Sequence, residues 1–271
     1  MSSILAIDQT FASVQLADRT DFMTLLAECY IKEKFPFRER KPLGLRVQEH
    51  FLSRVAITYE MTPHAPDDPN VRDAYDALKE EILMQFEFMS RHDIRVRPFL
   101  GQGQPYANSA DMMARVASTS TLYVYLTSRG YGSDASAPAD HPMLELSDIV
   151  IDGCRFTYND LFRAVHDYYC HYSPRQDFSL QGECMAALHH LELLSSTAGR
   201  AVFTETVGQI CWFYRGAHLL DRTLRLPTRI DSDYTPPRSR RYPPQKAMLL
   251  PACLIERFRE SVVEPWIGQP A

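Results

Sequence analysis

The chain has 271 residues, of which 45% are apolar and 23% charged, with a formal net charge of −5; this balance is ordinary for a globular protein and the length suffices for one large core. An acidic chain is no general nucleic-acid binder, and basic runs such as Arg238-Ser239-Arg240-Arg241 are too short to reverse that. The first residues lack the basic and apolar regions of a secretory signal, and no apolar run approaches the roughly 20 residues that span a bilayer. The expectation is a cytoplasmic protein without membrane contact.

Residues 11–60 read as helical. Leu16, Phe22, Leu25, Leu26 and Cys29 fall near helical spacing, and a second stretch, 45–59, follows a turn over 36–42. Residues 61–69 read as a loop that delivers a helix start capped by Asp68 or Asn70. The clearest helix covers 70–92, with Ala74, Leu78, Ile82, Phe86 and Met89 as its apolar stripe. A short alternating strand is expected over 94–99, a helix from about Ser109, a strand over 122–126 and a flexible loop over 130–142.

From Thr157 the pattern is helical again. A helix capped by Asn159 or Asp160 runs to about Cys170, a second covers 181–195 and a third 198–220. A Pro-rich stretch without a period reaches Pro251, and a short helix over 254–262 precedes a loose tail. The expected fold is mainly α, with a few short strands and a bundle-like helical core. Its segments are an N-terminal helical part (1–60), an α+β part (61–145), a helical region carrying the polar residues (146–255) and a tail (256–271), all within one domain.

Six cysteines, Cys29, Cys154, Cys170, Cys184, Cys211 and Cys253, show no C-x-x-C spacing. They read as free, mostly buried thiols.

Polar side chains able to bind metal fall where a helical core should be apolar. They are His166, Asp167 and His171 in the first helix, Glu183, His189 and His190 in the second, and Glu205 and Gln209 in the third. Glu183 and His190 are seven apart, two helical turns, so they share a face with the small Ala186 and Ala187 between them; His189 lies about 100° round. His166 and His171 cannot share an α-helical face unless the helix ends or unwinds near Cys170, and Ser173-Pro174 favours such an ending. Imidazole and carboxylate together suit iron, manganese or zinc, and two His with one carboxylate leave coordination positions open. A buried polar network without metal, or a helix-terminal role for Glu205 capped by Thr204, accounts for some of the same residues.

His166-Asp167 resembles the adjacent pair of the HD superfamily, which implies a metal-dependent phosphohydrolase or oxygenase in which His141 and Asp221 would complete the set. His166-x-x-x-Cys170 also admits a haem as a minor alternative.

A wider set of strings resembles a domain of uncharacterised phage and prophage proteins over roughly residues 60–255. It comprises Asn159-Asp160-Leu161-Phe162-Arg163-Ala164-Val165-His166-Asp167…His171, Gly182-Glu183…Ala186…His190, Thr204-Glu205-Thr206-Val207-Gly208-Gln209 and Gln245-Lys246-Ala247…Leu249-Leu250-Pro251, and Ala74-Tyr75-Asp76-Ala77 and Pro105-Tyr106…Ser109…Met112 look similar too. The resemblance implies that His166, His171, Glu183, His190 and Glu205 belong to one site, and it implies no particular reaction. The chain departs from the pattern at Cys170, Val207 and Ile210.

Other candidates surround this set. Gln209 can orient Glu205 or bind a ligand. Arg163 and Arg215 can hold a substrate carboxylate or phosphate, or neutralise Asp160, Asp167 and Asp221. Tyr106, Asn108 and Ser109 lie at a helix start that can receive an anion or simply be capped. Tyr168, Tyr169 and Tyr172 belong to the core or to an aromatic pocket. The leading expectation is a non-haem iron oxidoreductase acting on a small molecule, with iron favoured over zinc or manganese. A metal-dependent hydrolase, with Asp167 or Glu205 as base, and a non-enzymatic phage-type structural or interaction domain are the alternatives.

Overall fold

A computed structural model describes Leu26 and residues 29–34, 44–129 and 137–263; the stripe expected over 16–25, the turn over 36–42 and the loop at 130–136 lie outside the described residues. Residues 29–34 are helical, with Tyr30 and Ile31 buried. Strand β1 (Gly44–Leu45) precedes helix α1 (Glu49–Met61). The helix thus begins later than the sequence suggests, because residues 44 and 45 pair antiparallel with residues 263 and 262.

Helix α2 (Pro69–Arg91) follows the rules for a strong N-terminus. The Asp68 carboxylate accepts from the backbone N–H groups of Asn70 (2.8 Å) and Val71 (3.4 Å), and Pro69 sits where its missing N–H has no helical partner to lose. Its buried face carries Ala74, Leu78, Ile82, Phe86 and Met89 as their spacing predicts. Strand β2 (Arg95–Pro98), helix α3 (Ser109–Thr119) and strand β3 (Thr121–Val124) form a βαβ unit in which Arg95 pairs with Thr121 and Pro98 with Val124, in parallel.

Strands β4 (Leu146–Ile151) and β5 (Cys154–Thr157) form a hairpin where the sequence expectation places no element. Asp152 (φ 50°) and Gly153 (φ 77°) both occupy left-handed backbone, the requirement of a tight type I′ turn. The hairpin feeds helix α4 (Tyr158–His166), and its cap is Thr157 rather than Asn159 or Asp160. Asp160 instead closes the reciprocal half of a capping box, accepting from Thr157 N–H at 2.9 Å. It also accepts from Thr127 N–H at 2.6 Å, while Asn159 donates to the Thr127 hydroxyl at 2.8 Å.

Helix α4 runs on through a π-helical turn (Asp167–Tyr172). Helix α5 (Leu180–Glu192) and helix α6 (Ser196–Phe203) follow, capped by Ser179 and Ser195. The helix expected over 198–220 is α6, a second π turn (Thr204–Gly208) and α7 (Gln209–Arg215), and it stops where Gly216 turns extended. Residues 220–251 are irregular apart from a 3₁₀ turn (Pro237–Ser239), then come α8 (Ala252–Glu260) and β6 (Val262–Val263).

Helix α2 packs along α6 and against α4, and α1 packs along α7. One apolar core therefore runs across the boundary near residue 145. Among the described residues there are eight α-helices and three two-stranded sheets, a mainly α architecture. No helix among them is long and apolar enough to cross a membrane. No disulfide joins the six cysteines; Cys170, Cys184 and Cys211 are buried and Cys253 is exposed.

Candidate metal centre

The site begins with a helix that widens instead of ending. In an α-helix, residues five apart point about 140° away from each other. Over Asp167–Tyr172 the backbone follows i→i+5 bonding, with Ser173 N–H donating to Tyr168 O at 2.9 Å, and the fifth residue returns close to the first. The rings of His166 and His171 meet with centroids 4.9 Å apart. This is the geometry that the sequence assigns to a helix break near Cys170, achieved without one.

Helix α5 supplies the facing residues. Glu183 Oε2 lies 3.4 Å from His171 Nε2 and 3.9 Å from His166 Nε2, and one donor atom from each of the three falls within 4.8 Å of the others. On the same face two turns later, His190 Nδ1 lies 3.2 Å from His166 Nδ1. The buried Ala186 and Ala187 leave room for these side chains. His171 Nδ1 faces the Gln176 carbonyl at 3.2 Å, which keeps a proton on Nδ1 and leaves Nε2, turned toward Glu183, as the atom that would bind a metal once its own proton is displaced. Phe162 stacks on both His166 and His190, and Phe178 meets His171 edge-on.

Electrostatics keep this set ready for a cation. Burial opposes the Glu183 charge, but His171 and His166 outweigh it and hold the carboxyl down at about 2. Burial likewise opposes charge on His171, yet Glu183 and Asp167 raise its pKa overall. Burial, reinforced by the two neighbouring imidazoles, pushes His190 well below the usual range and keeps it neutral. The Asp167 carboxyl is raised, chiefly by burial.

Beside the set lies a cavity of about 360 Å³ lined by His166, Asp167 and Glu183 and also by Glu205 and Gln209. A second chamber of about 550 Å³ extends under Tyr106 and shares Arg163, Asp167, Phe178, Glu183 and Tyr242 with the first. His171 and His190 line neither chamber and stand behind the wall.

Glu205 lines the same cavity with partners of its own. Tyr75 donates its hydroxyl hydrogen to Oε1 and Gln209 donates to Oε2 at 2.8 Å. His141 Nδ1 accepts from Met143 N–H at 3.2 Å, and its Nε2, 3.5 Å from Glu205 Oε1, is buried without a hydrogen-bond partner.

Comparison with known proteins gives no match: no family model, no curated protein and no solved structure resembles the chain.

The geometry therefore distributes the expected residues. His166, His171, Glu183 and His190 converge, whereas Glu205 lines the same cavity but joins neither group of converging donors, with both oxygens engaged. His141 joins Glu205, and Asp221 ties a separate loop together by accepting from Thr223 and Arg225, so neither completes an HD-type set around His166. Cys170 is fully buried and lines neither chamber.

Among the candidate substrate residues, Arg163 sits between the two chambers and donates to Tyr125 O at 2.6 Å. Arg215 is instead paired with Glu49 at 2.6 Å, away from the cavity, because α1 and α7 pack side by side. The Tyr106 hydroxyl lines the second chamber but already accepts from Tyr123 N–H at 2.7 Å. Ser109 opens α3 outside both chambers, with Asn108 as the cap. Tyr168, Tyr169 and Tyr172 are buried in the core.

Two residues that hold the cavity's polar groups, Tyr75 on Glu205 and Gln245 on Gln209, are given no role by their spacing in the sequence. Tyr75 sits on the buried face of α2, where it reads as packing. Gln245 lies in the irregular segment and pairs amide to amide with Gln209, at 3.3 and 3.4 Å. The Gln245-Lys246-Ala247 string is the one signal that could have marked it.

Proposed function

We propose that the chain is a metal-dependent enzyme in which His166, His171 and Glu183 hold one divalent ion at the wall of the 360 Å³ cavity, and that a small molecule binds in that cavity. The observation that carries this reading is the convergence of two imidazoles and one carboxylate, with Glu183 and His166 exposed to the cavity and His171 buttressed from behind. Two His and one carboxylate with open positions suit iron(II), so we favour a non-haem iron oxidoreductase. When bound, such an ion supplies electrons to an oxidant or polarises a substrate oxygen.

The protein's own groups do the rest. Phe162, Phe178 and Tyr242 give the cavity aromatic walls, and the Gln209–Gln245 amide pair and Arg163 offer polar anchors. Glu205 is held rigidly by Tyr75 and Gln209, so it can take or give a proton at a fixed place in the same cavity. A hydrolase is the second reading, favoured by Asp167, a carboxylate in the cavity wall next to His166 that is placed to act as a base. The resemblance to the phage and prophage domain adds no reaction to either.

Elemental analysis of protein purified without chelator separates the readings. Stoichiometric iron that is lost in His171→Ala and Glu183→Gln supports the oxidoreductase, and stoichiometric zinc or manganese supports the hydrolase. Full metal content in both variants, or none in the native protein after loading with iron, zinc or manganese, overturns the assignment and leaves a non-enzymatic polar core.

A further inference from the structure

His166 presents a different ring nitrogen to each of two partners. Nε2 faces Glu183, while Nδ1 lies 3.2 Å from His190 Nδ1. The Cys170 thiol completes a second triplet: one donor atom from each of His166, Cys170 and His190 falls within 4.8 Å of the others. All three residues are buried, Cys170 and His190 completely. The other nitrogen of His190, Nε2, is buried without a hydrogen-bond partner and takes no part in the Nδ1 contact.

We propose that His166, Cys170 and His190 form a second, thiolate-containing cation site, distinct from the His166–His171–Glu183 set and joined to it through the one shared imidazole. The spacing fits. At metal–nitrogen bonds of about 2.0–2.1 Å, two nitrogens of one tetrahedral ion stand about 3.3 Å apart, close to the 3.2 Å between the Nδ1 atoms. Two unbound imidazoles at that distance must share one proton along the same line, whereas an ion satisfies both lone pairs at once.

The donor chemistry differs from that of the first set. One thiolate and two imidazoles, without a carboxylate, select zinc or copper(I) over iron(II) or manganese. Binding displaces the Cys170 proton to solvent, and when both ions are bound the His166 ring also releases its N–H proton and bridges them as imidazolate. The π turn is again the cause, since it brings both chain neighbours, Cys170 and His171, near the His166 ring. The proposal does not depend on the first ion, because Glu183 and His171 take no part in it.

Cobalt(II) is the probe. The metal-free full-length chain is equilibrated without oxygen against excess cobalt(II), and bound cobalt is counted while the near-ultraviolet thiolate-to-cobalt charge-transfer band is recorded. The expected result is two equivalents with the band present. Cys170→Ser, with its fold checked by circular dichroism, loses the band and one equivalent, and Glu183→Gln loses one equivalent but keeps the band. Should Cys170→Ser fold poorly, protection of Cys170 from alkylation by cobalt in the native chain, located by peptide mapping, gives the same answer. A saturated native protein without the band, a band that survives Cys170→Ser, or a Cys170 alkylated equally with and without cobalt overturns the second site. Loss of cobalt from Glu183→Gln decides the first site separately.

Discussion

His166 and His171 stand five residues apart, and a π turn sets their rings 4.9 Å apart with planes crossing at 77°. Glu183 closes the triangle from the next helix. Removing one corner leaves two donors with an unfilled position, so His171→Ala is expected to weaken metal binding by more than the about 10–100-fold typical of losing an outer supporting partner. Competition against a chelator of known affinity checks this, and unchanged affinity rejects His171 as a ligand.

Glu205 gives a contrasting expectation. Its carboxylate oxygens are occupied by Tyr75 and Gln209, so Glu205→Gln keeps the full metal content. Its effect falls on turnover, once a substrate is found. A metal loss equal to that of His171→Ala would place Glu205 in one coordination sphere with His166, His171 and Glu183.

Gly182 precedes Glu183 in the first turn of α5, and a Cβ at this position would collide with the backbone oxygen and carboxylate of Asp177. Gly182→Ala must push the helix start away from that loop. A destabilisation of about 1–3 kcal/mol is expected, as for other overpacked sites, together with a drop in metal affinity as Glu183 moves. Urea unfolding and the chelator competition read the two effects.

Lys246 caps helix α1. Its ammonium donates to the carbonyls of Tyr59, Glu60 and Thr62, each at 2.9 Å, where the helix leaves its last acceptors unpaired. Lys246→Met strips these acceptors and should cost about 1–3 kcal/mol, seen as a lower urea midpoint. An unchanged midpoint would mean that water replaces the ammonium without loss.

His218 stacks on Trp212 with ring centroids 3.9 Å apart, and burial, with Arg241 and Arg240 nearby, lowers its pKa below 6.5 despite Glu60. The folded state therefore binds this proton less readily than the unfolded chain. The associated stability is present above pH 6.5 and is lost as pH falls through the folded value. Trp212 fluorescence should titrate with a midpoint below 6.5, and the transition should vanish in His218→Ala. A midpoint above 6.5 would refute it.

Elements with a repeated apolar stripe were legible in the sequence. Helix α2 announced its face through Ala74, Leu78, Ile82, Phe86 and Met89 and its start through Asp68-Pro69, and α5 paired Glu183 with His190. The Asp152-Gly153 turn carried a hairpin signal, but the residue chemistry of β4 runs against its alternating burial, with Ser147 buried and Leu146 and Val150 exposed, so no apolar alternation flanks the turn. The π turns left no periodic trace, because each spans a single turn, and only the clash between His166 and His171 under α-helical spacing hinted at one. Tyr75 and Gln245 were hidden for another reason. Their contacts to Glu205 and Gln209 join segments 130 and 36 residues apart, a distance that no local pattern encodes.

The π turn at Asp167–Tyr172 also ties the spacing of the two histidines to the winding of the helix. A π turn holds one residue more than the α turn it replaces, so a single deletion between Asp167 and Cys170 would let the helix close into regular α register. The residue now at 171 would then follow His166 by four places, on the same helical face, and both rings would still meet Glu183. A homologous chain lacking that one residue would keep the pair in an ordinary α-helix, whereas a chain that kept the five-residue spacing but wound as a regular α-helix would turn the second ring away.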